Sequence, residues 1–423
     1  MNKVYGNIKL KLYYFIKREK KKTMKTWNQR VVKQENKSLV LETIIEHSPI
    51  SRADIANTTG LNKGTVSSLV KELLDEQLIK ESGPGISSGG RRPVMLLFNQ
   101  LAGYSIGIDL GVNYILGILT DLKGNIHLEK QIKIDNLNYD ETLEQLYKII
   151  DGLISSVPKS PFGVVGIGVG VPGIVNNRQE ILLAPNLGWK NVDLKSELQK
   201  KYKVPVAIEN EANAGAYGEK QFGVGNDADN LIYVSVGIGI GVGMLLDGEL
   251  YRGSKGFSGE FGHMTIELHG EKCSCGNNGC WELYASERAL LSNAKNSDIN
   301  QELNNDLSLE KIIELADAGN PLAIHLFKNI GKHLGIGINN IINIFNPEKV
   351  IIGNRMVEAE RWLKQPLLDW IKGQSLWFNQ QDVSIDFSNL RTYSTALGAA
   401  AFSNETFLHR SIYQKNNVSL ETL

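Results

Sequence analysis

Three cysteines, the only ones in a chain of 423 residues, fall within eight positions of one another. Cys273, Cys275 and Cys280 follow His263, which lies ten residues upstream of the first of them. Three thiolates and one imidazole form a closed four-ligand set of the kind that holds a structural zinc ion. Gly276 and Gly279 permit the tight turns that let three sulfurs converge on one ion. Ordinary buried thiols, or one disulfide and a spare thiol, are the other readings. Buried thiols rarely crowd this closely, and an odd count without a secretory signal points to a reducing, cytoplasmic setting. The segment predicts a zinc site with His263, Cys273, Cys275 and Cys280 as ligands. Glu260 and Glu282 bracket it, so a metal that folds this loop also fixes two carboxylates beside it.

The length predicts two or three domains. Hydrophobic residues make up 42% of the chain and charged residues 22%, and the formal net charge is zero. No global field therefore advertises a nucleic-acid or membrane partner, and local charge must carry any such signal. No run of about 18 apolar residues appears, so no membrane span is expected. The start is locally basic, with Lys9, Lys11, Lys17, Arg18, Lys20, Lys21 and Lys22. Residues 1–29 are expected to be a basic, disordered extension. A DNA-contacting arm and a true start at Met24 are the alternatives.

Residues 30–99 carry the signals of a winged helix-turn-helix. Leu41, Ile44 and Ile45 give a short amphipathic helix that Pro49 closes. Ser51 opens the next helix, with Asp54 completing a capping box and Ile50 and Ile55 a hydrophobic staple. Gly60 supplies the turn. Asn62 caps a third helix whose apolar stripe is Val66, Leu69, Val70, Leu73 and Leu74. Its other face presents Lys63, Thr65, Ser67, Ser68 and Lys71, and Arg52 sits at the start of the preceding helix. Small hydroxyls suit close approach to base edges, and the lysines suit phosphates. Segments 78–81 and 94–98 read as strands around a glycine-rich loop, with Arg91 and Arg92 where the loop returns. The pattern predicts a wing whose arginines reach DNA.

Residues 100–410 read as an α/β body with two strand-rich halves facing a cleft. The first half has strands at 105–109, 114–120, 125–132 and 164–171 and a helix near 139–155. The second opens at 231–236 and runs into Gly237-Ile-Gly-Ile-Gly-Val-Gly243. Val236, Gly239, Gly241, Gly243, Gly253, Gly259, Gly262 and His263, with Glu209-Asn-Glu-Ala-Asn-Ala-Gly-Ala216 and the cysteine cluster, fall in register with the signature of the ROK family of repressors and sugar kinases. The chain resembles the repressor branch of that family from about residue 30 to 400.

That resemblance implies an actin-like, RNase H-like ATPase-type body behind the winged helix-turn-helix. It also implies that Asn210, Glu260, His263 and Glu282 bind sugar hydroxyls, with Glu211 where the kinases carry a catalytic aspartate. Carboxylates and amides are suited to that task, since buried hydroxyls demand partners. His263 would hold zinc through one ring nitrogen and offer the other to the sugar. Asn186 and Trp189 are a further candidate wall, Trp189 reading equally well as a core aromatic. The phosphate path departs from the kinase pattern. Asp109-Leu-Gly111-Val-Asn113 lacks a second glycine and a threonine, Ile238 replaces a hydroxyl residue, and at the adenosine end Ile352-Gly353-Asn354 stands in for a Gly-Gly pair. Glu211 displaces the base position by about an ångström. The expected function is therefore a non-enzymatic, sugar-responsive repressor. It would act as a homodimer on operator DNA and be released by a small sugar, xylose in the first place, with glucose a further candidate effector that could act as inducer or anti-inducer. A sugar kinase with an added DNA-binding head, and a repressor governed by a protein partner, are the competing readings.

Overall fold

Eight apolar residues of the amino-terminal helices are nearly or wholly excluded from solvent: Val40, Leu41, Ile44, Ile55, Val66, Leu69, Val70 and Leu73. Each such side chain contributes about 1.5–3 kcal/mol by leaving water, so three helices close on one small core. They are α1 (Gln29–His47), α2 (Arg52–Thr59) and α3 (Lys63–Asp75). The strands β1 (Ile50–Ser51), β2 (Ile79–Pro84) and β3 (Val94–Phe98) form a sheet of order β1-β3-β2. A computed structural model describes residues 29–84, 92–135, 137–302, 307–374 and 383–413. The basic extension up to residue 28 and Arg91 in the wing loop lie outside the described residues.

Capping follows the sequence closely. Ser51 Oγ accepts from Asp54 N at 3.2 Å, but Asp54 Oδ2 takes the Ser51 hydroxyl proton at 2.7 Å in place of the reciprocal backbone bond of a capping box. Gly60 closes α2 at φ 72°, and Asn62 Oδ1 caps α3 at Thr65 N, 2.8 Å away. One expectation fell short. α1 is a helix of 19 residues, not a short one, because its early turns lean on α3 through Lys33–Glu72 and the buried pair Lys37–Glu76, both 2.6 Å.

The first half of the body comprises β4 (Tyr104–Leu110), β5 (Tyr114–Asp121), β6 (Ile126–Lys133), α4 (Tyr139–Ile154), β7 (Val164–Val171), β8 (Ile174–Val175), β9 (Ile181–Ala184), β10 (Trp189–Val192), α5 (Leu194–Tyr202), β11 (Val206–Asn210) and α6 (Glu211–Phe222). The second contains β12 (Leu231–Val236), β13 (Ile240–Leu246), β14 (Glu249–Leu250), α7 (Glu282–Ala285), α8 (Glu287–Lys295), α9 (Leu309–Asp317), α10 (Pro321–Phe345), β15 (Lys349–Gly353), α11 (Glu360–Gln374), β16 (Ser384–Phe387) and α12 (Ser394–Tyr413). The two five-stranded sheets share one connectivity. Their orders are β11-β7-β4-β5-β6 and β14-β13-β12-β15-β16. In each, an antiparallel three-strand meander is followed by two parallel strands. The body is a structural duplication.

Two helices fill the space between the sheets. α6 lies on β12 and β13, α12 lies on β4 and β7, and the two helices pack on each other. Their contact faces are small: Ala212, Ala214, Gly215 and Ala216 on one, Ala396, Gly398, Ala399 and Ala400 on the other, all buried. A methyl group on Gly398 would collide with the Ala214 carbonyl, and one on Gly218 with the Ser394 carbonyl. The far end of α12 leaves the body. Phe407, Leu408, Ile412 and Tyr413 join the core of the amino-terminal head, and Gln34 Nε2 donates to Tyr413 O at 3.0 Å. The body's last helix thus runs past residue 410 and shares a core with the head. Gly398→Val should lower the thermal transition of the body by the equivalent of at least about 1–3 kcal/mol, because backbone must move to admit the side chain. A calorimetric scan against the parent checks this.

Candidate functional site

The metal-type cluster is built on a loop with little regular structure. A short 3-10 turn, Phe261–His263, presents the histidine, and isolated bridges pair Thr265 with Cys280 and Lys272 with Asn278. Gly276 and Gly279 take φ of 97° and 65°, which turns the chain around the sulfurs. Trp281 anchors the loop: it is fully buried and its indole donates to His333 O of α10 at 2.7 Å. Cys273 Sγ lies 3.6 Å from His263 Nδ1, and Cys275 Sγ lies 3.7 Å from Cys280 Sγ. All four ligand atoms fall within 4.8 Å of one another. A tetrahedral zinc ion with Zn–S bonds of about 2.3 Å has edges of about 3.8 Å. The donor set and its spacing fit such an ion. Burial raises the thiol pKa of Cys273 and of Cys280, so metal uptake must expel protons.

Beside this loop, carboxylates gather on the glycine run. His263 Nδ1 stands 3.5 Å from Glu282 Oε1. A Cβ at Gly239 would sit 2.8 Å from Glu282 Oε2, and one at Gly241 would sit 3.7 Å from Glu211 Oε1. Glycine there leaves the space the carboxylates use. Asn210 is the N-cap of α6: its Oδ1 accepts from Ala212 N and Asn213 N at 2.9 and 3.1 Å, and its Nδ2 donates to Gly173 O at 2.9 Å. By the amide's inventory, one Nδ2 proton remains for a ligand.

The cleft floor is electrostatically unusual. Burial pushes Asp109 up to about 7, opposed by the Tyr114 hydroxyl that donates to it at 2.6 Å. The other Asp109 oxygen is buried without a partner among the described residues. Burial pushes Glu211 up to about 8, and the negative charges of Asp109 and Glu260 add to the shift. Loss of solvent also raises Glu260, with His263 opposing and Glu282 reinforcing. Asp109 and Glu211 thus hold their protons well above the ordinary carboxylate range, a feature that periodicity and spacing do not encode.

Other expectations divide. Asn186 is exposed and its Oδ1 accepts from the Arg288 guanidinium of α8 at 3.1 Å, a bond from the first lobe to the second. Arg288 escaped the sequence reading because nothing local marks it. Trp189 is core: 3% exposed and edge-on to Tyr139 at 5.1 Å. In the phosphate path, the Tyr114 ring covers Gly111. Asn354 Nδ2 bonds Ser235 Oγ at 3.0 Å and stands 3.2 Å from where a Gly237 Cβ would be.

On the head, Lys63, Ser67, Ser68 and Lys71 are exposed along α3, and Arg92 is exposed beside the wing. Thr65 is half-buried and turns with Leu69 toward α1, lining a hollow with Val32 and Asn36. Arg52 is half-buried and bonds Glu81 of β2 at 3.1 Å, tying the helix pair to the wing.

A winged head joined to a duplicated body with this cleft and loop defines a class. Residues 105–406 match the ROK family and residues 34–80 match a winged helix-turn-helix DNA-binding family. The chain belongs to the ROK family. Over 332 residues it is 51% identical to the xylose repressor of Bacillus subtilis, covering 78% of this chain and 85% of that protein. A solved ROK transcriptional regulator, a homologue of the Escherichia coli Mlc protein, superposes with a TM-score of 0.76 at 31% identity, over 90% of this chain and 98% of that one. A ROK glucokinase from Streptomyces griseus, solved with glucose and AMPPNP, gives a TM-score of 0.65 at 26% identity, over 72% of this chain and all of that one.

The raised carboxyl groups make a signed pH prediction. Glu211 moves from an ordinary 4.5 to about 8, so the folded protein binds the extra proton between those values. Stability from this group is full below about 4.5 and is lost as pH rises toward about 8. Glu211→Gln should therefore gain more thermal stability over the parent at pH 8.5 than at pH 5. Melting curves at the two pH values, with equal shifts at both, would sink the assignment.

Proposed function

We propose that this chain is a cytoplasmic, homodimeric transcriptional repressor that binds operator DNA through its winged helix and releases it when a sugar, D-xylose, occupies the interlobe cleft, with glucose a further candidate effector of the same cleft. The observation that carries the reading is the junction of an exposed DNA-reading helix, through a shared core, to the helix that runs between the two lobes. The likeness to the named xylose repressor supports it. Lys63, Ser67, Ser68 and Lys71 would meet the major groove and Arg92 would reach DNA from beside the wing, a role the sequence also offers for Arg91. Arg52 and Thr65 would act mainly by setting the pose of α3, given their contacts with the wing strand and α1.

In the cleft, Glu260 and Glu282 would accept sugar hydroxyl protons and Asn210 would donate its remaining amide proton. Glu211, protonated at neutral pH by its raised pKa, would donate to a sugar oxygen. Asn186 would sense closure through its bond to Arg288. Sugar can bias the lobes only by its difference in affinity for two arrangements. A swing from 1:99 to 99:1 takes about a 10⁴-fold difference. Because α12 touches the first sheet, α6 and the head, a change in lobe angle moves the head.

Binding without transfer is favoured by the phosphate path. The side chains of Tyr114 and Asn354 occupy ground that a phosphate cradle needs as open backbone N–H groups. His263, Cys273, Cys275 and Cys280 would hold zinc, which folds the loop and fixes the Glu260–Glu282 wall.

Two outcomes test this reading. The purified chain should shift an operator duplex from a xylose-utilisation promoter, xylose should reverse the shift, and Glu282→Gln should keep DNA binding but weaken the xylose response at least about tenfold. No shift, or a shift indifferent to xylose, overturns it. Cys280→Ser should lose zinc by elemental analysis and lower both the melting temperature and the sugar response, since a structural metal contributes folding energy.

A further inference from the structure

A cavity of about 460 Å³ opens on the side of the body where the edge strands β11 and β14 of the two sheets approach each other. Its walls come from α5, β11 and β14, and α12 forms its floor. The volume lies within the roughly 300–1,000 Å³ of small-ligand pockets. None of Glu211, Glu260, His263 or Glu282 lines it.

Its polar groups are unequally satisfied. Glu209 is held by the Arg252 guanidinium at 2.7 Å and by Asn210 N and Asn213 Nδ2, and Glu405 accepts from the Tyr217 hydroxyl at 2.6 Å. The cations are different. Lys195 of α5 and Arg410 of α12 both line the cavity and are half-buried, and among the described residues neither has an anionic partner at ion-pair distance. Burial lowers the Lys195 ammonium from its ordinary value; Asp193 opposes this, and the like charge of Arg410 adds to it. Two cations left facing one hollow, at a cost to each other, are relieved by an anion that both can reach. Phe402 also lines the cavity, stacked on Tyr217 at 4.2 Å and 10° and with the Arg252 guanidinium 5.9 Å from its ring centroid.

We propose that this cavity is a second ligand site that takes a small phosphate monoester, its phosphate between Lys195 and Arg410 and its organic part against the apolar lining that includes Leu250 and the edge of Phe402. A doubly charged head answers two cations, and a flat or apolar body answers that lining. Such a ligand touches both lobes and α12 together. Arg410 lies within two residues of Leu408 and Ile412, which pack in the head's core, so occupancy bears on the same helix that joins body to head.

Phenyl phosphate is the probe. Calorimetric titration of the full chain should give saturable binding of phenyl phosphate and none of phenol. Lys195→Met should weaken that binding at least about tenfold, or ~1.4 kcal/mol, while melting temperature and xylose heat stay unchanged. Arg410→Met should weaken it similarly, with a melting curve to show that the head contact survives. Absence of saturable heat at millimolar phenyl phosphate, or parent-like affinity in Lys195→Met, overturns the proposal. Neither operator DNA nor sugar takes part in the phenyl phosphate titration, so its failure bears on this cavity and not on the repressor reading.

Discussion

The crossing of α6 and α12 governs the body. Two sheets of identical connectivity each need a cover for the inner face, and here one pair of helices covers both. Ridges of alanine and glycine let the helix backbones approach until Gly398 meets the Ala214 carbonyl and Gly218 meets the Ser394 carbonyl. Larger side chains would part the sheets and widen the cleft between them. The same crossing sets α6 so that its first turn, with Asn210 and Glu211, enters the cleft. It also sets α12 so that its last turns reach the head. Cleft chemistry and head position are thus attached to the two members of one helix pair. Thr395 Oγ1, which donates to Glu211 O at 3.1 Å, ties them directly.

The family spans proteins that transfer phosphate and proteins that regulate genes, and the residues divide along that line. On the proposed sugar side, the glycine run leaves open positions against Glu211 and Glu282, and the cysteine loop brings together four groups that could hold a metal. On the phosphate side, a tyrosine ring lies over Gly111 and an asparagine amide caps the path at Gly237. On the proposed reading, binding would be kept without transfer because the two depend on different surfaces of one cleft. Hydroxyl recognition needs side-chain carboxylates; phosphate cradling needs bare backbone.

Much of this was legible in the sequence. The strand at 164–171 and the strand at 231–236 lie where period and β-branched composition placed them, and the caps at Ser51, Asn62 and Gly60 act as those residue types should. The ligand cluster was legible because soft donors at short spacing have few other uses. What escaped depends on distant parts of the chain. Arg288 meets Asn186 across 102 positions. Asp109 and Glu211, also some hundred positions apart, are brought near each other only by the fold. Trp189 could be wall or core until its neighbours were known. The role of α12 was invisible for the same reason: an alanine-rich helix carries a weak amphipathic signal, and its worth lies in how closely it allows two backbones to approach.

The orientation of one ring has a consequence for selectivity. His263 turns Nδ1 toward Cys273, so an ion in the cluster would take that nitrogen's lone pair. The remaining proton then resides on Nε2, and the ring can no longer gain a second one. An imidazole elsewhere on a protein surface changes charge near neutrality and can donate or accept as its tautomer shifts. With a metal on Nδ1, this one would be a donor only, with a fixed direction. Any ligand seated against it must offer a lone pair there. The wall would thus read the direction from which a sugar hydroxyl presents its lone pair.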